Sequence, residues 1–114
     1  RLMDGSSNPY LLQAGIIAAG LHGLNYKINP GEPLTCNMYT DYKNYPNLKK
    51  LPNEIEDALN FLQYSKELKE AFGEDVINSY IKLKNIEIKD FNKNEKFDKK
   101  SSVTYWEKNS TLDC

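Results

Sequence analysis

The sequence predicts a mainly α-helical fold, on three observations. Residues 9–24, PYLLQAGIIAAGLHGL, form an almost uniformly apolar run. Two later stretches, near 55–62 and 76–91, repeat their apolar residues three and four apart, the period of an amphipathic helix. A strand is expected at most at residues 1–3, the tail of a pairing whose partners lie upstream.

The first helix is predicted from about Pro9 to Leu24. Asn8 supplies an N-cap side chain, and Pro9 follows where its missing N–H costs nothing. Asp4-Gly5-Ser6-Ser7 before it is turn chemistry. The helix is apolar nearly all round, so it should be the most buried element rather than an amphipathic one. Gly15, Ala19 and Gly23 leave a smooth stripe for close approach of another backbone. A membrane helix is the rival reading. The apolar run is short of the ~20 residues that span a bilayer, and it carries Gln13 and His22 without basic flanks.

Asn29-Pro30-Gly31-Glu32-Pro33 breaks the chain, and 34–50 reads as an ordered loop with short helical turns. A second helix opens at Leu51-Pro52-Asn53, with Asn53 and Glu56 as a capping box and Ile55, Ala58, Leu59 and Leu62 as its stripe. Ser65 should cap a third, short helix carrying Leu68, Ala71 and Phe72, with Gly73 as its stop. A fourth helix, about Glu74 to Phe91, presents Val76, Ile77, Tyr80, Ile81, Leu83, Ile88 and Phe91. The seven lysines and four acids from Lys82 to Lys100 read as a solvated face and loop rather than a nucleic-acid patch. From Thr104 to about Lys108 one or two helical turns should dock through Val103, Tyr105 and Trp106.

The composition bounds the function classes. With 114 residues, 39% hydrophobic and 11% aromatic, the chain is one domain or less and can build a core. A net charge of −1 gives no global argument for nucleic acid. The start at Arg1 without a methionine suggests a fragment of a longer protein, and no signal peptide is visible. Cys36 and Cys114 have no framework spacing and are too few for a structural zinc site. Reduced thiols in a cytoplasmic protein are favoured over a disulfide.

Read residue by residue, the chain is poor in catalytic groups. It has no glycine-rich phosphate loop, no metal-spaced cluster and no Ser–His or Cys–His pair. Asp4 can be read as a ligand or base, but a backbone-bonding role in its turn is favoured. His22 reads as a packed or dipole-facing histidine. Trp106 and Glu107 read as a helix anchor.

The ordered set Arg1, Asp4, Asn8-Pro9-Tyr10-Leu11, Ala18-Ala19-Gly20-Leu21-His22-Gly23-Leu24 and Lys27-Ile28-Asn29-Pro30-Gly31 resembles glutamine synthetase. The likeness continues through Asn37-Met38-Tyr39, Leu51-Pro52, Ala58-Leu59, Tyr80 and Leu83-Lys84, and the close in Trp106-Glu107 and Thr111-Leu112-Asp113-Cys114 looks like a bacterial subgroup.

The resemblance implies that residues 1–114 are the helical C-terminal segment of an α+β catalytic domain, inactive alone. It implies a ligase using ATP to phosphorylate glutamate's γ-carboxylate before ammonia displaces phosphate. Two divalent ions, Mg²⁺ or Mn²⁺, are implied with ligands upstream of this chain. A cytoplasmic homo-oligomer of stacked rings is implied, with no nucleic acid and no membrane. Arg1 matches the family arginine that faces glutamate's carboxylate or the γ-glutamyl phosphate, a task suited to a permanently charged fork. Tyr39 aligns with a loop tyrosine adenylylated in certain bacterial members, but Thr40-Asp41 departs from their pattern and an ordinary loop tyrosine is favoured. His22 stands where the family usually has Asp. Two rivals remain: a ligase joining glutamate to methylamine or putrescine, and a free-standing helical interaction module.

Overall fold

The computed structural model describes residues 7–94 and 103–110, and among them the fold is mainly α with no strand. The helices are α1 (Pro9–Asn25), α2 (Met38–Asp41), α3 (Ile55–Tyr64), α4 (Lys66–Phe72), α5 (Glu74–Asn94) and α6 (Tyr105–Ser110), with one 3₁₀ turn at Tyr42–Asn44. The strand expected at 1–3 lies outside the described residues, as does Phe97.

Local chemistry sets most of the helix ends. The Asn8 side-chain oxygen accepts from the backbone N–H of Tyr10 at 3.0 Å and of Leu11 at 3.1 Å. Two orphan donors of the first turn are thereby satisfied beside Pro9. The far end of α1 closes differently from a glycine stop. Ile28 N–H donates to the Gly23 carbonyl at 2.9 Å and Lys27 N–H to Leu24 at 3.2 Å. This is a Schellman pattern, and it puts Lys27 in the left-handed region at φ 50°. A non-glycine residue there costs about 1–2 kcal/mol.

Ser65 caps α4 as expected, its hydroxyl accepting from Leu68 N–H at 3.2 Å. Gly73 ends α4 at φ 86° and ψ 144°. That conformation is open to glycine and strained for any other residue, and it turns the chain directly into α5. By contrast, the capping box expected at Asn53 and Glu56 does not form. The helix starts at Ile55 behind an extended Glu54, and no side chain caps it.

Tertiary contacts run α1 to α4, α4 to α5 and α3 to α5. The core is small. Only Leu59 of α3 and Ile77 of α5 are buried hydrophobics among the described residues. Burying such a side chain stabilises by roughly 1.5–3 kcal/mol each. Half-buried Tyr80, Ile81, Ile88 and Phe91 extend the inward stripe of α5, while Val76 and Leu83, expected on that stripe, are exposed.

The expectation that α1 would be the most buried element is overturned. None of its residues is buried, and Ile16, Ile17 and Leu21 are more than half exposed. The physical reason is that, among the described elements, α1 has α4 as its principal neighbour, while its apolar residues surround the axis. A radius of gyration of 17.0 Å against about 13 Å for a compact chain of this length describes the same open packing.

Candidate functional site

The N-P-Y-L motif works as a helix entry, with the Asn8 side chain bonded to the first turn of α1. Arg1, the sequence's candidate substrate-binding residue, and Asp4 both lie outside the described residues. So does Cys114.

Where α1 crosses α4, an open cleft of about 360 Å³ is lined by Ala18, Ala19, His22, Ser65, Glu67 and Leu68. The small side chains of Ala18 and Ala19 share this cleft with the polar His22, Ser65 and Glu67. His22 is half-buried in the last turn of α1 with its ring 4.5 Å from that of Tyr26, inclined by 37°. This agrees with a packed histidine at a helix C-terminus. Across the cleft, Ser65 donates its hydroxyl hydrogen to Glu67 at 3.0 Å. The Glu67 carboxylate is held below its ordinary range, first by its own backbone N–H, then by Ser65, with a smaller contribution from His22.

The loop between α1 and α3 presents tyrosines. Tyr39 is 94% exposed on α2, whose first turn is capped by the Asn37 side chain accepting from Tyr39 N–H at 3.0 Å. The Thr40 hydroxyl has two acceptors in reach of its one hydrogen, the Asn37 carbonyl at 3.1 Å and Asp41 Oδ1 at 2.9 Å, which braces the turn. Sequence reasoning missed the grouping behind it. Cys36 carries a free thiol 3.6 Å from the Met38 sulfur. Its hydrogen bond to Tyr45, followed by its charge, pushes the Tyr45 phenol above its usual value. No spacing rule pairs Cys36 with Tyr45, so the sequence held no signal for it.

The C-terminal anchor is well defined. Trp106 indole N–H donates to Asp90 Oδ2 at 2.7 Å, and its ring stands edge-on to Phe91 at 5.5 Å. Thr104 and Glu107 form a reciprocal capping box, with Thr104 N–H to the Glu107 carboxylate at 2.7 Å and Glu107 N–H to the Thr104 hydroxyl at 3.1 Å. The Glu107 carboxyl is held below its ordinary value, first by Thr104 N–H and then by the Thr104 hydroxyl. Docking thus runs through Trp106. Tyr105 and Val103, expected to share it, are respectively 77% and 47% exposed.

These groups build turns and anchors; they do not assemble a nucleophile beside a base. Among the described residues no three His, Cys, Asp or Glu side chains are placed to hold a metal ion. No described helix is long and apolar enough to cross a membrane.

Residues 1–103 match a family described as glutamine synthetase, catalytic domain. Over 99% of its length the chain is 42% identical to a glutamine synthetase of Rhizobium meliloti, covering 24% of that protein. It is 33% identical to a γ-glutamylethanolamide synthetase of Streptomyces coelicolor over 94% of the chain and 20% of that protein. It is 32% identical to a glutamate–methylamine ligase of Methyloversatilis universalis over 99% of the chain and 24% of that protein. The chain therefore spans about a quarter of the length of the first of these relatives. No solved structure matches it.

Proposed function

The chain belongs to the glutamine synthetase catalytic-domain family, and on that premise we propose that it is the C-terminal segment of a glutamate–ammonia ligase. In that reaction the γ-carboxylate of glutamate takes the terminal phosphoryl group of ATP, leaving ADP. Ammonia then attacks the acyl carbon, a proton is lost, and phosphate departs with the bonding electrons. The observation that carries the reading is the likeness to a glutamine synthetase along nearly the whole chain. The exposed faces of α1 support the segment reading, because a helix apolar on all sides is stable in water only when something covers it. They also count against a free-standing helical module.

Magnesium or manganese belongs to the same proposal, with its ligands expected upstream of residues 1–114; among the described residues no three His, Cys, Asp or Glu side chains are placed to hold such an ion. A ring-forming homo-oligomer in the cytoplasm completes the reading. Arg1 is assigned to gripping glutamate's carboxylate or the γ-glutamyl phosphate, since its planar fork reaches two oxygens at once. In the complete enzyme, Arg1→Ala should lower kcat/KM for glutamate by the ~2–5 kcal/mol of a truncated buried charge pair, about 30- to several-thousand-fold. ATP affinity should change far less. Arg1→Lys, which keeps the charge without the fork, should fall between. A loss confined to kcat would place the contact on the transferring phosphoryl group. Normal glutamate kinetics with a lowered melting temperature would make Arg1 a brace for its turn instead.

The relatives that join glutamate to ethanolamine or methylamine favour one second reading, a γ-glutamyl-amine ligase. ATP-dependent phosphate release by the complete enzyme, with ammonia, methylamine, ethanolamine and putrescine compared, decides it. A higher kcat/KM for any amine than for ammonia overturns the first reading.

A further inference from the structure

We draw no further inference here: the strongest candidate, the exposed apolar face of α1 formed by Leu11, Ile16, Ile17, Leu21 and Leu24, belongs to the segment reading already given, and nothing in the structure shows which surface covers it.

Discussion

Helix α1 and the pair α3 and α5 invert the usual relation between apolar content and burial. α1 has the most uniformly apolar sequence in the chain and no buried residue. The pair is half polar and holds the buried hydrophobic side chains of the described residues, Leu59 and Ile77. The difference lies in direction. An amphipathic helix gathers its apolar side chains on one face, so a single neighbour buries them and the charged face stays wet. An all-round apolar helix needs partners on every side, and α4 covers only the side of Ala18 and His22. Apolar content therefore measures how much cover a helix requires, and patterning measures how much it obtains from one contact.

The largest expected effect tests the whole comparison. Among the described residues only Leu59 and Ile77 are buried hydrophobics, too small a core to hold the helices in one fixed packing. The chain expressed alone should therefore keep helical far-UV circular dichroism, bind hydrophobic dye through α1 and melt without a sharp transition. A cooperative calorimetric melt of the monomer would break the comparison.

Truncation sharpens it. In the complete enzyme, Leu59→Ala and Ile77→Ala should each destabilise by about 2–5 kcal/mol. Under the segment reading Ile16→Ala and Leu21→Ala should cost as much there. In the chain alone, helicity should fall with the first two and hardly change with the last two. If Ile16→Ala and Leu21→Ala are silent in both settings, α1 is a surface helix and the need for cover is refuted.

The caps act independently of burial, so their effects are smaller and local. Thr104→Ala should cost α6 about 1 kcal/mol, read as weakened docking in the fluorescence of Trp106, the one tryptophan of the sequence. Glu107 adds a pH dependence whose sign follows from its depressed folded-state value. Its contribution is fully present above the unfolded glutamate value of about 4.3 and is lost as pH falls through the lower folded value. Acid titration of Trp106 fluorescence should show that limb, and Glu107→Gln, which can still form the box, should flatten it. An unchanged acid limb would remove Glu107 from the anchor.

The smallest effect is at the end of α1. Lys27→Gly relieves the left-handed backbone and should favour the helix by about 1 kcal/mol, visible as a modest gain in helicity. A loss of helicity would show that the Schellman closure does not form.

What the sequence determined by itself lies within a few residues of the chain. Asn8 before Pro9, Ser65 before α4 and Gly73 after it were legible because a cap bonds backbone two or three positions away. The capping box at Thr104 and Glu107 is held by bonds of the same short range. Asn53 shows the limit of such signals: its pattern is right, yet the helix begins behind Glu54. Family membership was legible too, because many short motifs recur in order. The chemistry of the site was not, since no described residues pair as nucleophile and base, and Arg1 lies outside them.

Tertiary structure alone decided which sides of the helices meet. A helix apolar all round offers no preferred face, so nothing in residues 9–24 could announce that Ala18 and His22 would turn toward α4. Nor could local sequence announce that Trp106 would reach Asp90, sixteen positions earlier. Contacts of that range depend on where whole helices come to rest, a free energy summed over the packing of the molecule rather than held by any one stretch of it.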